Sequence, residues 1–295
     1  MNIIATADLH YDNPRSVPDT RRVADEILRE HADADVLIVA GDLCGPDLSV
    51  LDDCLLLFRD FNGRKLMVAG NHDLWSAHAD SFDRFEHRIP RIAADRGFTC
   101  LDAAPAIVGD VGFAGTIGWY DYSYRDEALG VPMRFYEAKL APGAARMRTE
   151  YAALLGRTDD IPDALREITV RWMDGRWVQL GMSDPEFTEL LCDRLAGHLA
   201  AIAPRCRTIV GVSHHVPFRS MCPAKPQRRI PPASWTFTTA FMGSGRIGET
   251  FAAEPKVRTI VCGHTHMPRR ETIEGIDVID IGSSYTHKRF VELDV

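Results

Sequence analysis

The chain has 295 residues, enough for one large domain or two modest ones with an ample core, which excludes a small fold stapled by disulfides or a metal. Hydrophobic residues are 45% and charged residues 26%, ordinary proportions for a folded globular protein. Lys and Arg number 34 against 42 Asp and Glu, so the formal charge is −8, which excludes a basic nucleic-acid coat while leaving room for a local basic pocket.

The N-terminus reads directly as a first strand over 2–7 (NIIATA), with no charged leader or apolar signal core ahead of it. Residues 18–31 (PDTRRVADEILREH) follow as an amphipathic helix opened by Pro and Asp. DVLIVAGD (35–42) is a continuous apolar run ending in a turn, the pattern of a parallel strand buried on both faces. A second helix over 48–60 leads to KLMVAGNHD (65–73), another buried strand that ends in a polar turn. This βαβαβ order predicts a parallel α/β layer with ligands at the carboxyl ends of its strands.

From about residue 98 the rhythm changes to short strands with Gly turns, which predicts a sheet meander through FTCLD, PAIVGD and VGFAGTIGW. Residues 119–187 resemble an insertion over the active face, aromatic-rich at first and then helical over 143–156 and 162–174. A long helix near 185–203 precedes the buried strand TIVGVSHH (208–215). After a Pro- and Arg-rich loop (217–233) and a helix near 243–253, VRTIVCGHTH (257–266) repeats the plan, and 270–295 read as terminal strands. The seven cysteines contain no CxxC pair, the usage of a reducing compartment. No apolar run approaches the ~18 residues that cross a bilayer. The expectation is a cytoplasmic chain forming a single domain over 1–295, with its insertion at about 119–187.

Five of the buried runs end in residues that ligate metals: Asp8 and His10, Asp42, Asn71 with His72, the pair His214 and His215, and His264 with His266. A lone His or Asp at a strand end is ordinarily a cap or a satisfied polar group. Five such ends are expected to converge on one sheet edge. A set of Asp, Asn and several His suits borderline divalent ions such as Mn, Fe, Zn or Ni. Its size exceeds one tetrahedral zinc site and fits two ions sharing a carboxylate. The Gly preceding Asp42, Asn71 and His264 allows a sharp turn and close approach.

The ordered blocks D-x-H, GD, GNHD, H and GHTH resemble the calcineurin-like metallophosphoesterase superfamily, in its bacterial phosphodiesterase or phosphohydrolase branch. That resemblance implies an α/β fold: a two-sheet β-sandwich flanked by helices, with a helical insertion over the active face. It implies two divalent cations, manganese favoured, with Asp8, His10 and His266 on one, Asn71, His214 and His264 on the other, and Asp42 bridging. It further implies hydrolysis by a hydroxide between the ions, with His72 as the catalytic residue that protonates the leaving alkoxide.

The second block reads GDLCGPD, without the arginine of the phosphoprotein-phosphatase pattern GDxVDRG. Gly45 stands where purple acid phosphatases carry a tyrosine ligand. Gly45 argues against a tyrosinate-bound ferric ion. The missing arginine and a His72-type acid, suited to a poor alkoxide leaving group, favour a small-molecule phosphodiester as substrate, with a phosphomonoester on nucleotides or sugar phosphates as the alternative. A nuclease is disfavoured, because the only candidates for its basic track in this acidic chain are the clusters at 219–229 and 269–270, and no membrane partner is expected. A non-catalytic metal-bound scaffold is disfavoured because His72 and the whole ligand set are present. Candidate substrate contacts are His215, Tyr120 and Arg219. Tyr120 lies among the aromatics 119–124, which read more readily as a strand packing one face, and Arg219 leads a cationic loop with Lys225, Arg228 and Arg229 that reads more readily as solvated.

Overall fold

A computed structural model describes residues 1–295 except 148, 157–159 and 225–229, so Lys225, Arg228 and Arg229 lie outside the described residues. The strands are β1 (Asn2–Thr6), β2 (Val36–Ala40), β3 (Arg64–Val68), β4 (Phe98–Cys100), β5 (Ala106–Val108), β6 (Val111–Thr116), β7 (Thr208–Ser213), β8 (Val257–Cys262), β9 (Arg269–Ile273), β10 (Ile276–Asp280) and β11 (Phe290–Asp294). They form two mixed sheets, ordered β11-β1-β2-β3-β4 and β5-β6-β7-β8-β10-β9. Strands β1 to β4 run parallel, as do β6, β7, β8 and β10, while β11, β5 and β9 pair antiparallel at the edges.

Alternation along each strand explains the layers. Ile3, Ala5, Val36, Ile38, Leu66 and Val68 face Phe113, Val210, Val212, Val261 and Ile279 in a core between the sheets. Their neighbours Ile4, Leu37, Val39, Met67, Ala114, Ile209 and Ile260 turn outward into the larger core shared with the helices.

The helices are α1 (Val17–Glu30), α2 (Ser49–Leu56), α3 (Ser81–Asp83), α4 (Ile89–Asp95), α5 (Met133–Glu137), α6 (Pro142–Ala145), α7 (Asp174–Trp177), α8 (Asp184–Ile202), α9 (Pro232–Thr238) and α10 (Gly245–Ala252). Helix α1 buries Thr20, Val23, Ala24 and Ile27, one stripe at helical spacing. Helix α8 starts in a capping box between Ser183 and Glu186.

Three expectations need correction. The short strands after residue 98 are not one meander: β4 completes the first sheet, and β5 and β6 open the second. Asp102 joins the two at the crossing, where its carboxylate accepts the Ala69 N–H at 2.7 Å and the Ile117 N–H at 2.6 Å. The long helices expected over 143–156 and 162–174 are short turns, α6 with 3-10 segments at Thr149–Leu155 and Asp163–Glu167. A Cβ on Gly143 would lie 2.2 Å from the Arg166 carbonyl and 2.6 Å from that of Ile168, so this turn of α6 sits directly against the second segment. Finally, the aromatic stretch 119–124 forms no strand. It is irregular chain with buried rings, of which Trp119 and Tyr122 donate to Asp184, Tyr120 to Asp174 and Tyr124 to the Val216 carbonyl.

Candidate metal centre

The carboxyl ends of both sheets carry the donor blocks, three from β1, β2 and β3 and two from β7 and β8, rather than all from one sheet. Donor atoms of Asp8, His10, Asp42 and His266 lie within 4.8 Å of one another, as do those of Asp42, His214 and His264, so Asp42 belongs to both groups. Asn71 joins the second group, its Oδ1 standing 3.2 Å from His214 Nε2 and 3.2 Å from His264 Nδ1. The structure thus brings together all seven residues expected to hold metal.

Local backbone geometry makes this convergence possible. Asp8, His10, Asp42, His264 and His266 all adopt positive φ, between 42° and 71°. Each such residue costs about 1–3 kcal/mol and is held only by surroundings that over-determine it. The surroundings are visible. The Asp8 N–H donates to the Gly41 carbonyl at 2.9 Å and the His10 N–H to the Asp42 carbonyl at 2.8 Å. The His264 N–H donates to the Asp8 carboxylate at 3.0 Å. The Thr20 hydroxyl donates to the Leu9 carbonyl at 2.7 Å, pinning the first loop to α1.

Two glycines serve different purposes. Gly41 has φ of 85°, which only glycine adopts freely. Gly70 has an ordinary backbone, but a Cβ there would lie 2.1 Å from Asp42 Oδ1.

Asp73, the last residue of the GNHD block, binds the two central turns together. Its buried carboxylate accepts the N–H groups of Leu43 at 2.9 Å, Cys44 at 2.8 Å, Asp42 at 3.1 Å and Gly70 at 2.8 Å. Burial and the neighbouring Asp42 push its carboxyl up to about 7.

The tautomers of two histidines follow from their other partners. His214 Nδ1 is 2.9 Å from the Ala40 carbonyl and His264 Nε2 is 3.2 Å from the Phe241 carbonyl, so both nitrogens donate. His214 Nε2 and His264 Nδ1 then present lone pairs to the Asn71 oxygen. Acceptors aimed at an acceptor need a cation or a proton between them. His10 Nε2 and His266 Nε2 also meet, at 3.3 Å. Burial disfavours charge on His214, but Asp42, 3.3 Å from its Nε2, prevails and raises the ring to about 10. That is the proton a divalent cation displaces. For His10, burial and the His72 charge hold the pKa well down, which keeps a lone pair for a metal. The donor set therefore fits a pair of divalent cations.

His72 borders the ligand cluster, its ring 4.7 Å from that of His10, without belonging to either donor group. Its N–H donates to Asp42 Oδ1 at 2.9 Å, its Nε2 lies 3.9 Å from Asp42 Oδ2, and its ring stacks on Trp75 at 3.7 Å. Its side chain is 16% exposed against 2% for Asp42, so it lies toward solvent.

The three expected substrate contacts are not supported by their placement. Tyr120 is fully buried and its hydroxyl donates to Asp174 at 3.0 Å, so it belongs to the core. His215 is fully buried behind His264, with Nδ1 donating to the Ile117 carbonyl; burial and then His214 lower it to about 3. Arg219 is exposed and lines a shallow cavity with Tyr124, Cys222 and Trp235, apart from the donor cluster. The Arg269 and Arg270 charges are taken by Glu271 and by Asp277 at 2.7 Å.

Sequence reasoning gave no role to Asp73, Asp174, Trp75, Tyr285 or Lys288. Tyr285 stacks on His10 at 4.5 Å, and the buried Lys288 ammonium donates to the Asp8 carbonyl. Asp73 could have been found as the carboxylate closing the GNHD turn. The others carry no local signal.

Residues 1–133 match the model of the calcineurin-like phosphoesterase family, a stretch that includes the first three donor blocks. No curated protein sequence matches the chain. Among solved structures, a phosphopantetheinyl hydrolase from Mycobacterium tuberculosis is similar in fold, with a TM-score of 0.64 at 18% identity over 98% of this chain and 95% of that one. A protein from Thermus thermophilus gives 0.53 at 11% identity, covering 97% and 90%. A dimetal phosphatase from Danio rerio gives 0.50 at 14% identity, covering 95% and 86%.

Proposed function

We propose, from the premise that this chain belongs to the calcineurin-like phosphoesterases through residues 1–133 and is a metal-dependent hydrolase of phosphoric esters, that it cleaves a small-molecule phosphodiester with His72 as general acid. The observation that carries the reading is Asp42, one carboxylate shared by two groups of donor atoms. Asp8, His10 and His266 would hold one cation, Asn71, His214 and His264 the other, and Asp42 would bridge. When bound, two divalent cations supply Lewis acidity to the phosphoryl oxygens and make a coordinated water more acidic. Donors from carboxylate, amide and imidazole suit Mn, Fe, Zn or Ni, and manganese is the ion that the family resemblance favours.

The chain's own residues do the rest. Carbonyls of Ala40 and Phe241 fix the tautomers of His214 and His264. His72 Nε2 lies 3.9 Å from Asp42 Oδ2, at the edge of the donor cluster. An imidazolium at this place can pass its proton to a departing alkoxide. That service matters most for a poor leaving group. Together with the missing phosphate-clamping arginine in GDLCGPD, it favours a diester. The chain would work as one domain with segment 119–187 inserted. Seven free thiols, and no helix among the described residues long and apolar enough to cross a membrane, support a cytoplasmic setting.

The test is parallel hydrolysis of bis-p-nitrophenyl and p-nitrophenyl phosphate by the manganese-loaded chain, with His72→Asn as control. A phosphopantetheinyl ester belongs in the wider panel, since one protein of similar fold is a phosphopantetheinyl hydrolase. Faster turnover of the diester, falling about 100-fold in His72→Asn, is the expected result. A preference for the monoester would overturn the diester reading in favour of nucleotides or sugar phosphates. Silence on every ester with two ions bound would make the chain a scaffold.

A further inference from the structure

Asp174 lies at the start of α7, a hundred residues from the GNHD block, and is only 1% exposed. Its carboxylate is met by four side-chain donors. Oδ1 accepts the Asn71 amide Nδ2 at 2.9 Å and the Trp75 indole Nε1 at 2.7 Å. Oδ2 accepts the Tyr120 hydroxyl at 3.0 Å and the Trp172 indole at 2.7 Å. A fifth tie, the Ser76 N–H on the Trp177 carbonyl at 2.8 Å, clamps the other end of α7 to the same loop.

We infer that Asp174 is a positioning residue: it sets which end of the Asn71 amide faces the donor cluster and how the Trp75 ring backs His72. This rests on the proposed roles of Asn71 and His72, and it gives segment 119–187 the task of holding the metal loop.

Donor and acceptor chemistry fixes the direction of the amide. An amide has two ends of opposite character, and only the oxygen can hold a cation. Flipped, Asn71 would turn an NH₂ toward His214 and His264 and remove a ligand. An ionised carboxylate accepts and cannot donate, so Asp174 binds the NH₂ end alone and leaves Oδ1 facing the histidines. Negative charge on the far side of the amide also makes that oxygen a better ligand, as partners of metal ligands generally do. The indole is held the same way. Trp75 Nε1 has Asp174 as its acceptor, so the ring stays stacked 3.7 Å from His72, within 24° of parallel.

The experiment titrates manganese into the metal-free full chain by calorimetry, comparing wild type, Asp174→Asn and Tyr120→Phe, with melting curves of the metal-free proteins alongside. Asp174→Asn keeps the shape but presents an NH₂ to one pair of donors. The expected result is two ions in wild type and in Tyr120→Phe. In Asp174→Asn the first ion binds as in wild type and the second about 10–100-fold more weakly. Should Asp174→Asn fail to fold, Asn71→Asp decides. It offers a charged ligand, yet its inner oxygen meets an Asp174 oxygen where an NH₂ had donated at 2.9 Å, and the lost hydrogen bond unseats the side chain, so the second ion binds no tighter than in wild type. Tighter binding there, or an unchanged second ion in a folded Asp174→Asn, overturns the positioning role alone. Fewer than two ions in wild type overturns the two-cation reading and this inference with it.

Discussion

Replacing Gly70 by alanine perturbs the centre by a single methyl group. The added Cβ would stand 2.1 Å from Asp42 Oδ1 and 2.3 Å from the Asp42 amide nitrogen, where real Cβ contacts essentially never fall under 3.0 Å. Relief therefore needs a displacement of about 0.9 Å, the shortfall between 3.0 and 2.1 Å, borne by the Asp42 turn. That turn cannot yield freely, because Asp73 holds its N–H groups and the Asp42 carboxylate accepts the His72 N–H at 2.9 Å. Metal–oxygen bonds of about 2.0–2.2 Å tolerate deviations of only about 0.2 Å. A carboxylate moved four times that far serves neither ion. Overpacking should also cost about 1–3 kcal/mol of stability. Gly275→Ala is the matched control: its φ is 81°, but nothing lies within 4 Å, so it carries backbone strain without touching the site. Metal content per chain by plasma mass spectrometry and diester turnover are the assays. Gly70→Ala is expected to hold fewer than two ions with turnover near background, and Gly275→Ala to match wild type. Two ions and normal turnover in Gly70→Ala would show that the centre does not depend on where the Asp42 carboxylate is held.

Asp42→Asn keeps the side-chain shape and removes the shared charge, and should likewise lose metal stoichiometry; two retained ions would remove Asp42 as the bridge. For His72→Asn both ions should stay while turnover falls about 100-fold, most for unactivated esters, and equal loss on activated and unactivated esters would contradict a proton-donating role. Asp102 offers a pH test away from the metals. Burial raises its carboxyl to about 6 from 3.8, against the opposing pull of the Ala69 and Ile117 N–H groups. A folded-state pKa above the unfolded one means the native chain binds the proton more tightly, so this contribution is full below about pH 4 and is lost as pH rises to about 6, roughly 3 kcal/mol in all. Asp102→Asn should accordingly be more destabilising at pH 4 than at pH 7, read by denaturant melts. A difference that is flat or reversed would contradict the assignment.

Much of the frame was legible because parallel strands buried on both faces leave continuous apolar runs. NIIATA, DVLIVA, KLMV, TIVGVS and VRTIVC became β1, β2, β3, β7 and β8, and the donor blocks sit where each run stops. What stayed hidden depends on contacts far apart in sequence. The aromatics at 119–124 look like a one-faced strand, yet they are held by the Trp119 indole on Asp184, 65 positions away, and by the Tyr120 hydroxyl on Asp174, 54 away. The divide between β4 and β5 turns on Asp102 reaching both sheets. Positive φ at Asp8, His10 and His266 has no compositional mark, since none of these residues is glycine. Burial of Tyr120 and His215 could not be read either, because an aromatic or histidine beside a site serves equally as wall or as core.

The two-cation centre is tested most directly by a manganese titration of the chelator-stripped chain in which bound ions and diester turnover are read from the same samples. Saturation is expected at two ions per chain, with turnover rising only as the second ion binds. Saturation at one ion, or full turnover with one bound, would contradict a shared Asp42 and the pair of sites built around it.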